Sequence, residues 1–301
     1  MLQLAEADVV RLLTPADAFA AVEASFGRIA RGAVQNPERV RLPLPDGGVF
    51  ATMPVVDAEL GYAGLKTYAW TDHGTPFLVL LVSLADAQVV AVIEAERLSR
   101  LRTAAASAVA ATRLARADAK SLGVFGYGRQ AEAHLAAFRE ALPGLTQVVV
   151  SGPNSRRLEA FCREHGCESA ESPSDAGACD VVVTATTSRD PVLRGDWLSP
   201  GATVIGVGAN DPGMRELDNL VLEKASFVCT DQQLQAAGEA GDLIDTVASG
   251  VLDWLEVHEL HEVVSGEVSG RASDDDIVVF KSNGMAAWDL AVAARLVELA
   301  C

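Results

Sequence analysis

Apolar and polar positions follow three successive rhythms along this chain. Near the N-terminus, Thr14, Pro15 and Asp17 supply an N-cap, a proline at the first helical position and an acidic first turn. They predict a helix running to about Arg31, just before Gly32. From 39 to 93 the rhythm shortens to β-type runs at 40–44, 48–53, 63–68, 77–82 and 89–93. Turn residues punctuate these runs, at Pro45, Asp46, Gly47 and Gly48 and again at Asp72, His73, Gly74 and Thr75, which predicts a mostly antiparallel sheet. The alanine- and arginine-rich stretch 94–117 reads as helix. Alternating α/β texture follows, with strands predicted at 121–125, 147–150, 181–184, 203–207 and 227–230 and helices between most of them. A last strand at 277–280 precedes an amphipathic helix at 285–300.

This pattern predicts an α/β protein: a Rossmann-type dinucleotide-binding domain at 118–276, and a β-rich α+β domain at 1–117 with 277–301, which the family resemblance given below implies is the substrate-binding and dimerisation domain. Composition narrows the partners. The 301 residues are 50% hydrophobic and 22% charged, ample for buried cores. A formal charge of −17 argues against nucleic acid or an anionic membrane surface, so an anionic cofactor must be held by a local set of amides and cations. Five cysteines without a CxxC pair read as reduced thiols rather than a metal site. Glu6 and Asp8 interrupt the N-terminal apolar residues, with no basic segment before them, so that stretch does not read as a signal peptide. A cytoplasmic location is expected.

The most specific chemistry lies at Gly126, Tyr127, Gly128, Arg129, Gln130 and Ala131, between a predicted strand and a predicted helix. A GxGxxA loop in that place suits a dinucleotide pyrophosphate. Gly126 allows the tight turn, Gly128 lets the backbone approach phosphate, and Ala131 lets the helix lie close to the sheet. After the next strand come Ser151, Asn154, Arg156 and Arg157, with no acid placed to bind a ribose 2′-hydroxyl. That favours NADP(H) over NAD(H), because arginine and asparagine suit a 2′-phosphate; a solvated helix start with ordinary arginines is the alternative. Small and hydroxylated residues end the next strands, at Thr184, Thr186 and Thr187 and at Val207 to Gly213, where a parallel sheet lines its ligand crevice. Lys66, inside the apolar run 63–68, reads by itself as an outward-facing strand lysine, and Arg102 as a helical surface arginine.

Several segments together resemble the ornithine cyclodeaminase/mu-crystallin family: Met53–Pro54, Gly64 to Lys66, Leu101 to Ala105, Gly126 to Ala131, Gly208 to Gly213 with Arg215 to Asp218, and Phe280 to Ala286. They recur in the family's order over almost the whole chain. The resemblance implies a homodimer joined through the N-terminal domains. It implies a substrate carboxylate clamped by Arg39, Lys66 and Arg102, with Lys66 also able to polarise or protonate the reacting group. It places Gly128, Arg129 and Gln130 on the pyrophosphate near Thr103, and Asn154 and Arg156 at the 2′-phosphate. Lys281 and Ser282 fall beside the nicotinamide and Glu262 near the ligand pocket.

One position departs from the family pattern. Cyclodeaminases and alanine dehydrogenases carry aspartate where this chain has Asn210, with Asp211 one residue later. An asparagine cannot take the proton that cyclodeamination must remove from an amine. The expected activity is therefore NAD(P)H-dependent reduction of a ketimine or cyclic imino acid, or amino acid dehydrogenation in reverse, with Lys66, Arg102 and Asn210 at the reaction centre. The alternatives are an ornithine cyclodeaminase-type lyase that recycles NAD, and an NADP(H)-regulated small-ligand-binding protein like mu-crystallin.

Overall fold

The computed structural model describes residues 1–45, 47–72 and 74–301, so the turn residues Asp46 and His73 lie outside the described residues. The chain divides into two compact units, 1–106 with 284–301 and 107–283. The first contains β1 (Leu2–Leu4), α1 (Glu6–Leu12), α2 (Pro15–Ala30), β2 (Val34–Gln35), β3 (Val40–Pro43), β4 (Val49–Asp57), β5 (Tyr62–Trp70), β6 (Phe77–Ser83) and β7 (Val89–Glu94). Helix α3 (Glu96–Leu114) begins in this unit and ends in the second. As expected, Thr14 caps α2: its hydroxyl accepts from the Asp17 N–H at 3.1 Å. The strands form a seven-stranded sheet among the described residues, in the order β1-β7-β6-β5-β4-β2 with β3 also on β4. All pairings are antiparallel except β1 with β7.

Register decides which residues this sheet buries. Met53, Lys66, Val79 and Ile93 form one cross-strand row, and all four are buried. The neighbouring row of Pro54, Leu65, Leu80 and Val92 points the other way, because strand side chains alternate. Lys66 therefore faces the core, the reverse of its outward reading from sequence, and Leu65 lies on the other face. Both faces of β5 carry apolar residues, so alternation alone points to the wrong side.

The second unit holds β8 (Ser121–Phe125), α4 (Arg129–Ala141), β9 (Gln147–Ser151), α5 (Ser155–His165), β10 (Glu168–Ser169), α6 (Pro173–Gly177), β11 (Val181–Thr184), β12 (Thr203–Gly206) and α7 (Asn219–Glu223). It continues through β13 (Ala225–Thr230), α8 (Gln233–Glu239), α9 (Gly241–Ala248), β14 (Val257–Glu259), α10 (Leu260–Ser265) and β15 (Ile277–Lys281). Its sheet is wholly parallel, in the order β10-β9-β8-β11-β12-β15-β13-β14. The strand order reverses at β8, whose neighbours are β9 and β11, which makes the carboxyl ends of β8 and β11 the switch point where doubly wound sheets bind ligands. The expected boundaries differ at both ends. The unit begins inside α3, and β15 lies at the centre of this sheet between β12 and β13 instead of returning to the first domain.

The chain returns to the first unit only after β15, with α11 (Ala286–Ala300). This helix packs on β4, β5 and β6 and against α2, where Trp288 meets Phe26 with ring centroids 5.4 Å apart. Gly64 permits that approach. A Cβ there would fall 2.5 Å from the Leu290 Cδ1 and 2.7 Å from the Leu80 carbonyl oxygen.

Candidate active site

Within the first unit, four charged side chains converge beneath α11. Lys66 is 3% exposed, Arg102 6% and Asp289 1%, and all three meet at one atom. The Lys66 Nζ lies 3.1 Å from the Asp289 Oδ1, and the Arg102 Nε donates to the same oxygen at 3.0 Å. Arg39 reaches in from the segment before β3, where its Nη2 donates to the Gly284 carbonyl at 3.3 Å. Gly284, at φ +85°, is held close against Arg102: a Cβ would stand 2.7 Å from its Nη1. Aromatic faces complete the surroundings. The Lys66 ammonium lies 5.1 Å from the Phe77 ring centroid, and the Arg102 guanidinium 5.7 Å from that of Trp288. Phe77 in turn meets Tyr68 at 5.2 Å, whereas Trp70 is 60% exposed.

Burial here is expensive for cations, and the lysine registers it. Desolvation, with Arg102 and Arg39 adding to it and Asp289 opposing it, lowers the Lys66 pKa to about 7. A lysine ammonium poised near neutrality can both bind an anion and surrender a proton. The sequence expectation of outward Lys66 and surface Arg102 is thus corrected, and the two residues are brought together with Arg39 as the resemblance implied. Thr103 is also buried, with its hydroxyl donating to the Ser99 carbonyl at 2.8 Å.

The second unit carries the glycine loop at its switch point. Gly126 adopts φ +110°, and a Cβ would meet the Ala185 carbonyl oxygen at 2.6 Å, so only glycine fits where the β8 and β11 loops touch. Gly128 is the N-cap of α4, with no side chain capping the helix and open space where its Cβ would stand. A 13-residue helix thus starts with no side-chain cap beside a cleared backbone, with Arg129 exposed and Gln130 half-buried in its first turn. These features fit a dinucleotide pyrophosphate. At the end of β9, Tyr127 fills the space over Gly152, and the Arg157 guanidinium lies 5.4 Å from the Tyr127 ring centroid. Asn154 caps α5 by accepting from the Arg157 N–H at 3.0 Å, and Arg156 is exposed beside it.

The ends of β11 and β12 are tied together by a buried residue, Glu216. Its Oε2 accepts from the Thr184 hydroxyl at 2.9 Å, the Gly208 N–H at 2.6 Å and the Ala209 N–H at 3.2 Å; its Oε1 accepts from the Thr186 N–H at 2.6 Å. Burial pushes its carboxyl pKa up, while Lys281 and the Thr186 donor work against that shift. Glu216 is held in turn by Asp242, whose Oδ1 accepts from the N–H groups of Glu216 and Leu217 at 2.8 and 2.9 Å. Gly208 belongs to this knot, since a Cβ would lie 2.1 Å from the Thr186 carbonyl oxygen.

The remaining expected residues occupy the same unit with differing exposure. Val207 is buried. Lys281 is fully buried, its Nζ donating to the carbonyls of Gly206 and Ser282 and lying 3.8 Å from the Asp242 Oδ2, so its charge serves the strand ends. The Ser282 hydroxyl and the Asn283 N–H both donate to the Asp231 Oδ2, at 3.2 and 2.7 Å. Asn210 is exposed in the loop after β12; Asp211 follows it, with its Oδ1 accepting the Gly213 N–H at 3.0 Å. Glu262 is on α10, where its Oε2 meets the His258 Nδ1 at 2.8 Å. Sequence reasoning missed Asp289, Glu216, Asp242 and Asp231. A lone acid within the apolar segment 286–297 was the available sign of Asp289, because a charge there needs a buried partner.

A family model for the ornithine cyclodeaminase/mu-crystallin family matches residues 1–300. Iminosuccinate reductase of Paracoccus denitrificans is 31% identical over 313 residues, covering 100% of this chain and 97% of that protein. The Thermococcus litoralis Delta(1)-pyrroline-2-carboxylate reductase, solved with NADH and L-proline, matches at a TM-score of 0.93 and 28% identity, over 100% of this chain and 97% of its own. An archaeal alanine dehydrogenase dimer with bound NAD matches at a TM-score of 0.93 and 33% identity, over 100% and 96%.

Proposed function

This chain belongs to the ornithine cyclodeaminase/mu-crystallin family, and on that premise we propose that it is an NAD(P)H-dependent reductase of α-imino acids, acting on the C=N bond of a carboxylate-bearing substrate. The observation that carries the reading is the pair of buried cations Lys66 and Arg102 on one oxygen of Asp289, with half-buried Arg39 reaching the Gly284 carbonyl beside Arg102. Lys66 and Arg102 share one oxygen of Asp289, and a substrate α-carboxylate reaching this cationic group would be held by charge-assisted hydrogen bonds. When bound, the nicotinamide cofactor supplies the hydride that the imine carbon accepts. The imine nitrogen must then gain a proton, and Lys66, with a pKa of about 7, is the group suited to give it. Solvent reprotonates the lysine after product leaves. In the opposite direction the same neutral amine accepts a proton, which makes the reaction amino acid dehydrogenation.

The dinucleotide is held by the α4 N-terminus and by the strand-end loops that Glu216 fixes. NADP(H) is the preferred form in this reading: Asn154, Arg156 and Arg157 follow β9, and no carboxylate stands among residues 151–157 to repel a 2′-phosphate. The exposed loop asparagine, Asn210, supports reduction over cyclodeamination, since an amide takes no proton from a substrate amine. Pairing of two copies through the sheet face opposite α11 completes the proposal. That face presents Pro54, Leu65, Leu80 and Val92 in one row, with Val40, Leu42 and Leu78 each at least 42% exposed, an apolar surface of the kind that subunit contacts cover. A cytoplasmic setting agrees with the five free cysteines.

Loss of NAD(P)H absorbance on adding Δ1-pyrroline-2-carboxylate, Δ1-piperideine-2-carboxylate or an open-chain imino acid tests the activity. Net oxidation, one cofactor per amino acid formed, is expected. Proline and ammonia from ornithine with no net cofactor change would identify a cyclodeaminase instead, and tight ligand binding with neither reaction a binding protein.

A further inference from the structure

We propose that Asp289 is the positioning residue of this site, holding Lys66 in its proton-donating state and aim through one carboxylate oxygen that Lys66 shares with Arg102. The inference deepens the imine-reductase reading and rests on it. Asp289 enters in the first turn of α11, from the opposite side of the core to β5, and lies among Ala286, Ala287, Trp288 and Leu290, all nearly or fully buried. A carboxylate so placed has no water to solvate it, so its cations must compensate it. Its Oδ1 receives both Lys66 and Arg102, while its Oδ2 is buried with no hydrogen-bond donor among the described residues. The arrangement is lopsided: one oxygen carries two cations. Lys66 is thereby held by a contact that does not involve substrate.

The charged groups facing Lys66 come from every side that packs against it. Arg102 on α3 and Arg39 before β3 disfavour its ammonium, Asp289 on α11 favours it, and the strands beside it contribute the uncharged Met53, Val79 and Phe77. Asp289 is thus, among the described residues, the one anion in a set where burial and two guanidinium groups all press Lys66 toward the neutral amine. In imine reduction the carbon gains a hydride and the nitrogen a proton, so the C=N π bond is replaced by one C–H and one N–H bond. Lys66 loses the N–H proton and must regain it from water before the next turnover. A lysine without its aspartate would stand neutral at working pH and supply no proton.

The sign of the test follows. Reduction needs protonated Lys66, so kcat/KM falls as pH rises through the Lys66 pKa. Removing the anion lowers that pKa and moves the fall to lower pH. The chain has only four lysines, Lys66, Lys120, Lys224 and Lys281, so carbon-13 NMR of the lysine Cε groups resolves the titration directly, with Lys66 assigned by its absence in Lys66→Arg. In full-length Asp289→Asn, the Lys66 midpoint should fall from near 7 by about one pH unit or more, and the alkaline limb of kcat/KM by the same amount; at pH above the limb this is roughly a tenfold loss per unit. Asp289→Glu, which keeps the charge, should recover most of both shifts. Should Asp289→Asn fail to fold, Arg102→Gln supplies the opposite test. It leaves the shared oxygen to Lys66 alone and should raise the NMR midpoint. An unmoved midpoint in the folded variant would overturn the inference, and so would a moved midpoint with an unmoved limb. A wild-type protein that reduces no imino acid would instead refute the reductase reading, while the NMR titration still judges the coupling of Asp289 to Lys66.

Discussion

Glu216→Gln isolates the residue that ties the cofactor-side loops together. The substitution keeps shape but replaces one acceptor oxygen with an NH2 group in a place surrounded by donors. Its least damaging orientation puts the amide nitrogen where Oε1 accepts from the Thr186 N–H, and leaves the carbonyl oxygen to Thr184, Gly208 and Ala209. One charge-assisted bond is then lost, worth about 1.5–3 kcal/mol, and a donor faces a donor, adding about 1–3 kcal/mol. The three surviving bonds weaken as well, because their acceptor is now neutral. A total near 4 kcal/mol lowers the melting temperature of a unit this size by roughly 10 °C. The freed ends of β11 and β12 should also weaken dinucleotide binding by at least about tenfold, close to 1.4 kcal/mol. Differential scanning calorimetry gives the first number and fluorescence titration with NADPH the second. A Glu216→Gln protein with wild-type melting temperature and wild-type affinity would refute the idea that these hydrogen bonds hold the loops.

Arg156→Asp should shift the ratio of kcat/KM values from NADPH toward NADH, and an unchanged ratio would remove the 2′-phosphate assignment. His134 is fully buried between the Gln130 carbonyl and the Ser107 hydroxyl, and burial lowers its pKa to about 4. The unfolded chain then binds one more proton at this residue below about pH 6.5, so the His134 contribution should cost roughly 3 kcal/mol of stability between pH 6.5 and 4 and change no further below that. Urea unfolding at stepped pH measures the slope, and His134→Gln should flatten it. Leu80→Arg puts a charge in the middle of the apolar sheet face, and light scattering should show the assembly mass halved; a wild-type mass would place the subunit contact elsewhere.

Much of the second unit was legible because parallel strands buried on both faces read as short apolar runs, and because glycine has few alternatives at a turn such as Gly126. The Gly126 to Ala131 loop thus emerged with its strand and helix in place. The first unit was harder. Strand β5 is apolar on both sides, so period-two alternation cannot tell the α11-covered face from the open one, and Lys66 reads as outward. Strands β1 and β2, three and two residues long, are too short to leave a periodic signal. The acids that hold the site together escaped for a different reason. Asp289 lies far from Lys66 and Arg102 in sequence, and its role exists only once α11 is laid across the sheet. Lys281 shows the converse: the family pattern marked its position, while only the fold reveals that its ammonium is turned toward Asp242.

The most direct test of imine reduction follows the hydride itself. NADPH carrying deuterium at C4, on the face the enzyme uses, is incubated with an imino acid in ordinary water, and the amino acid formed is examined by mass spectrometry and NMR. The account predicts one deuterium at the α-carbon, one oxidised cofactor per product molecule, and a nitrogen-bound proton drawn from solvent. Product without deuterium at the α-carbon, or turnover that releases ammonia and leaves the cofactor reduced, would contradict it.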